Sequence, residues 1–116
     1  MIAHVVLFQP RPGLGSADRA RFQAALTRAL RDIPSIRRAR VGSRVRHGAT
    51  YEGLMATDFE FAGILEFDDL AGLQAYLGHP AHAELGTLFY TSNAAALAYD
   101  YDLPDGDPLA TVANWG

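Results

Sequence analysis

The sequence predicts an α+β domain in which four strands and two helical regions follow the order β-α-β-β-α-β. Two observations carry that reading. Short apolar stretches alternate, or are apolar on both faces, at residues 2–9, 36–47, 59–67 and 94–101, as strands require. Between them apolar residues recur at helical spacing, and proline or glycine closes most of these stretches.

The first strand carries Val5, Val6, Leu7 and Phe8, apolar on both alternating faces, so it should run through the middle of a sheet. Residues 9–15 hold two prolines and two glycines and read as a turn, with Ser16 as the N-cap of the next helix. Phe22, Ala25, Leu26, Ala29, Leu30 and Ile33 form that helix's apolar stripe, and Pro34 ends it. In the second strand Ala39, Val41, Ser43 and Val45 share one face, and Arg38, Arg40, Arg44 and Arg46 share the other. A loop over 48–53 leads to a third strand with Phe59, Phe61, Leu65 and Phe67 in phase and Gly63 placed to admit a close neighbour. Asp68 or Asp69 can cap a short helix bearing Leu70, Leu73 and Leu77. Gly78-His79-Pro80 then breaks the chain into a second helical piece carrying His82, Leu85, Leu88 and Phe89. The fourth strand precedes a tail rich in Asp, Pro and Gly, so residues 1–102 form the domain and 103–116 a C-terminal tail.

This order is the ferredoxin-like split βαβ arrangement, with both helical regions on one face of a four-stranded antiparallel sheet. The other face is left bare and apolar, and a second copy is the economical cover. The expectation is a homodimer closed into an α+β barrel through the sheet faces. In it, the Arg-rich second strand of one copy can meet Asp100 and Asp102 of the other; solvated faces are the plainer alternative.

Composition narrows the chemistry. The 116 residues are 49% hydrophobic and 20% charged, ordinary for one globular domain. A net charge of −3 gives no general attraction to nucleic acid or anionic lipid, and neither is an expected partner. There is no cysteine, and all ten cationic side chains are arginine, which removes thiol chemistry, Cys-based zinc sites and lysine Schiff bases. The early apolar run has no basic leader and stops at Pro10, reading as neither signal peptide nor membrane span and placing the protein in the cytoplasm.

The opening Met1-Ile2-Ala3-His4-Val5-Val6-Leu7-Phe8, the Ile33-Pro34 break, the stretch from Phe67 through Tyr76 to His79-Pro80-Ala81-His82, and the closing Tyr99-Asp100-Tyr101 together resemble the stress-responsive α/β-barrel domain (Dabb) family. The resemblance covers residues 1 to about 102 and implies a dimeric barrel of ferredoxin-like subunits. It implies function less firmly; one plant member is a polyketide cyclase that performs an aldol condensation without a cofactor. That enzyme's tyrosine and histidine pair falls on Tyr76 and His82, and its amino-terminal-strand histidine on His4. Two of its polar pocket positions fall on Leu26 and Phe61, which implies a more apolar pocket and a different substrate.

At the start of the last helix the positive dipole end disfavours imidazolium, leaving His82 a usable base. Tyr76 lies across the Gly78-Pro80 break and can present its hydroxyl to the same place. Base plus hydroxyl donor suits proton abstraction beside a carbonyl. The architectural alternative makes Tyr76 a helix-face aromatic and His82 a capping partner. His4 is in phase with Ile2, Val6 and Phe8; if that face lines the barrel interior, His4 and His82 share a cavity. His79 precedes proline and fixes the helix junction; His79-x-x-His82 lacks a carboxylate close in sequence and is not taken as a metal site. The candidate catalytic residues are therefore Tyr76 and His82, with His4, Leu26, Phe61 and Phe89 lining a pocket for a small apolar or aromatic ligand, and no cofactor. Three function classes stand: a cofactor-free cyclase or lyase; a non-catalytic stress-responsive or ligand-binding barrel dimer; and, by fold analogy, a cofactor-independent monooxygenase or haem-handling protein.

Overall fold

A computed structural model describes residues 1–115. The strands are β1 (Ile2–Pro10), β2 (Arg38–Ser43), β3 (Phe61–Phe67) and β4 (Asn93–Asp102); the helices are α1 (Ser16–Asp32), α2 (Leu70–Leu77), α3 (Pro80–Ser92) and the short α4 (Leu109–Val112). The sheet order is β2-β3-β1-β4, antiparallel at every pairing. This is the ferredoxin-like arrangement, with β1 and β3 central because their residues are apolar on both faces.

Local chemistry sets the element ends. α1 begins one residue earlier than a Ser16 cap requires: Gly15 is the N-cap and supplies no side chain. The Asp69 carboxylate accepts from the Gly72 amide and caps α2. Pro80 occupies the first turn of α3, and the His79 ring accepts from the Ala81 amide at 3.0 Å, so His79 secures the helix junction. β2 is shorter than its alternation predicts. Beyond Ser43 the Arg44 amide still bonds the Glu60 carbonyl, but no regular ladder continues and Phe59 falls outside β3.

Strand register decides which face each residue takes. Ile2, His4, Val6 and Phe8 stand opposite Phe67, Leu65, Gly63 and Phe61 of β3. Leu65 and Phe67 pack in the core with Ala25, Ala29 and Ile33 of α1, Leu73 and Tyr76 of α2, and Ala81 and Leu85 of α3. The three alanines let α1 and α3 approach closely. Helices therefore cover the His4 face. The opposite face carries Val5, Leu7, Ile64, Leu97, Tyr99 and Tyr101, of which the last three are 40%, 54% and 50% exposed. Beyond residue 102 the β1–β4 ladder is extended by one bond, Leu103 N–H to Met1 carbonyl, and residues 104–115 are exposed.

Four arginines of β2 and its flanks find carboxylates within the chain. Arg37 pairs with Asp68, Arg40 with Glu66, Arg44 with Asp58 and Arg46 with Glu60. Arg40, Arg44 and Arg46, which the sequence offers either to Asp100 and Asp102 of a second copy or to solvent, have carboxylates within the chain; the antiparallel β2–β3 pairing lays Arg40 and Glu66 on the same face. No described helix is long and apolar enough to cross a membrane.

Candidate active site

A cavity of about 350 Å³ lies between the sheet and the helices. It is contained in a single chain, which corrects the expectation of a chamber inside a two-sheet barrel: His4, Val6 and Phe8 project toward α1, α2 and α3, not toward the bare face. Four polar side chains line it, His4, Tyr76, His82 and Asp100. The remainder is apolar, with Phe8, Phe22 and Phe89 forming a cluster: the Phe8–Phe89 centroids are 5.3 Å apart and edge-on, the Phe22–Phe89 centroids 6.3 Å apart. Four residues of strand separate His4 from Phe8, about 13 Å at the usual rise. Seven residues of helix separate His82 from Phe89, about 10 Å. The cavity is therefore polar at one end and aromatic at the other.

The α2–α3 break builds the polar end. Tyr76 lies on the buried side of α2, one turn beyond Leu73, with its ring against Phe67 at 5.3 Å. Helix continuation would give the Leu77 carbonyl the Ala81 amide; that amide is taken by His79. The carbonyl instead lies 3.1 Å from His82 Nδ1. A carbonyl only accepts, so Nδ1 carries the proton and Nε2 keeps a lone pair, with no protein partner among the described residues. Gly86, one turn further on, keeps the space beside that nitrogen open; a Cβ there would stand 3.9 Å from it.

The Tyr76 and His82 rings are 4.5 Å apart, and the His4 ring is 5.6 Å from Tyr76. Burial depresses the His82 pKa below the ordinary imidazole value; the Leu77 carbonyl opposes this, and nearby His4 adds to the depression. Desolvation, more than the helix terminus invoked from sequence, favours the neutral ring. Tyr76 is pushed up to about 12, by burial first and then by the Asp100 charge, so it remains a protonated donor. Its hydroxyl has no protein hydrogen-bond partner among the described residues. On the other wall His4 Nδ1 donates to Asp100 Oδ1 at 2.6 Å, which fixes the His4 tautomer and leaves its Nε2 unpartnered.

Of the residues singled out from sequence, Tyr76, His82, His4, Leu26 and Phe89 all line the cavity. Phe61 does not. It stacks on Phe8 at 5.5 Å and supports that ring from behind. Asp100, which the sequence offers either to an intersubunit edge or to a solvated face, is paired by the register with His4 across β1 and β4, and its carboxylate lines the cavity. A signal for this was present: Ala96, Ala98 and Asp100 alternate with Leu97, Tyr99 and Tyr101, so the carboxylate falls on the face opposite the tyrosines. Gly86 carried no sequence signal. Among the described residues no group of three or more His, Cys, Asp or Glu side chains has metal-binding geometry.

Fold and site together define a ferredoxin-like α+β domain enclosing an apolar cavity with an imidazole and a phenol at one end. The chain matches the stress responsive A/B barrel domain, Dabb, over residues 2–103 and belongs to that family. It is similar in structure to a hydroxynitrile lyase from Passiflora edulis, with TM-score 0.75, 15% identity and coverage of 92% of this chain and 96% of that one. A Dabb family protein from Mesorhizobium loti with a ferredoxin-like fold gives TM-score 0.64 at 24% identity, covering 90% and 97%. A dimeric ferredoxin-like protein of unknown function from Thermobifida fusca gives TM-score 0.66 at 24% identity, covering 88% and 90%. At these identities the likeness is one of fold. A search of the curated proteins found no match.

Proposed function

We propose that the protein is a homodimeric barrel whose cavity binds a small apolar carbonyl compound and makes or breaks a carbon–carbon bond next to the carbonyl, without a cofactor. The observation that carries this is the Tyr76–His82 pair, 4.5 Å apart at the polar end of an otherwise apolar cavity, with His82 held by the Leu77 carbonyl as an Nε2 base. In the proposed step His82 Nε2 takes the proton from the carbon beside the carbonyl. Tyr76 donates its O–H to the carbonyl oxygen as charge develops there. The enolate so formed attacks a second carbonyl in an aldol-type closure; the electron pair of that C=O moves onto its oxygen, which takes the proton back from the His82 imidazolium. In the reverse direction neutral His82 removes the hydroxyl proton, the carbon–carbon bond breaks and the enolate is released. His4, held by Asp100, faces the same space and steadies the polar end.

The dimer is supported by the apolar sheet face bearing Leu97, Tyr99 and Tyr101, and by the description of the Thermobifida fusca relative as dimeric. A lyase-type reaction is supported by the likeness to the hydroxynitrile lyase, as one of fold.

Proton exchange tests the chemistry without knowledge of the natural substrate. Benzylacetone in deuterium oxide should lose its protons beside the carbonyl faster with the protein than in buffer, followed by proton NMR. His82→Gln should reduce that rate roughly 10² to 10⁴-fold. An unchanged rate in this variant would remove His82 as the base. Binding without exchange above the buffer rate would leave a ligand-carrying, non-catalytic barrel.

A further inference from the structure

We infer that the cavity selects an uncharged ligand and rejects carboxylates of the same shape, so that the substrate class is a neutral aryl or alkyl carbonyl compound. This rests on the preceding reading for the carbonyl, but the charge selection stands on the lining alone. No arginine borders the cavity, and the chain contains no lysine. Four arginines of β2 and its flanks are tied to carboxylates elsewhere. The charged side chain among the lining residues is Asp100, a carboxylate. Burial lowers the His82 pKa, which disfavours a positive charge there.

An anion entering this space would lose its water, meet no cation and lie near a fixed negative charge; each of these raises its energy. A carbonyl oxygen meets the opposite situation, since the Tyr76 hydroxyl is an unpartnered donor. The far end adds shape. Phe8, Phe22 and Phe89 present ring faces and edges suited to a phenyl group or a hydrocarbon chain. The volume of about 350 Å³ accommodates a molecule at the small end of the usual ligand range. The ligand thus lies along β1, carbonyl toward Tyr76 and hydrocarbon toward Phe89.

The test compares two near-isosteric probes on the intact protein, the ketone benzylacetone and the carboxylate hydrocinnamate, by calorimetric titration at neutral pH. Benzylacetone should bind at least about tenfold more tightly and shift the ring resonances of Tyr76 and Phe89. Leu26→Arg, which places a cation in the lining, should narrow or reverse the preference. Equal or tighter binding of hydrocinnamate to the unmodified protein overturns the inference, as does binding of neither probe; these outcomes do not depend on the variant folding. Loss of proton exchange in His82→Gln with the ketone preference intact tests catalysis separately, and a failure there leaves the charge selection standing.

Discussion

Replacing Tyr76 by phenylalanine separates catalysis from architecture, because only one oxygen atom is removed. The ring stays: it packs 5.3 Å from Phe67, 4.5 Å from His82 and 5.6 Å from His4, and phenylalanine retains all three contacts. The residue is 4% exposed, yet its hydroxyl bonds no described protein group. Deleting a hydroxyl that faces the cavity without a protein partner forfeits no protein hydrogen bond, so stability should hold to within about 1 kcal/mol. Catalysis should respond differently. A donor aimed at a developing oxyanion contributes about 10² to 10³ in rate, roughly 3–4 kcal/mol. Tyr76→Phe should therefore slow benzylacetone deuteration by about two to three powers of ten, with a melting temperature within about 4 °C of the parent protein. The reverse pattern, a clear fall in melting temperature with unchanged exchange, would make the hydroxyl structural and refute the assigned role.

Other expectations follow from the same geometry. Only neutral His82 is a base, and its pKa is depressed by burial and by His4; the exchange rate should stay on its plateau below the ordinary imidazole value near 6.5 and fall only at lower pH. A half-maximum at or above that value would contradict the depression. With Tyr76 at about 12, no alkaline limb from the phenol should appear between about pH 7 and 9. A Cβ at Gly63 would stand 2.9 Å from Val6 Cγ2, so Gly63→Ala should cost about 1–3 kcal/mol in urea unfolding and tighten the cavity that Val6 lines; an unchanged midpoint would show that the strand gives way freely. Tyr99→Asp puts a charge in the middle of the bare sheet face and should convert a dimer to a 12.6 kDa monomer in light scattering, whereas a parent protein that is already monomeric would remove the dimer.

The features legible in the sequence are those decided by neighbours along the chain. Pro34 follows directly on the end of α1, Asp69 caps α2 with its own carboxylate, and Pro80 opens α3; each acts within a turn, so residue identity suffices. Apolar residues on both faces mark β1 as a central strand, and the order of elements restricts the topology. Tyr76 and His82 are legible because they lie six positions apart, on either side of one short helix break. Tertiary structure decided the rest. The His4–Asp100 bond spans 96 positions and depends on the β1–β4 register, where a slip of one residue would turn Asp100 to the opposite face. The β1–β3 register set Phe61 beside Phe8. Which sheet face the helices cover decided whether His4 meets His82 inside one chain or a partner across a dimer, and the β2–β3 pairing laid Arg40 beside Glu66. Sequence fixes a residue's side of its strand; only packing fixes what lies on that side, because a face is apolar in the same way whether a helix or a second sheet covers it.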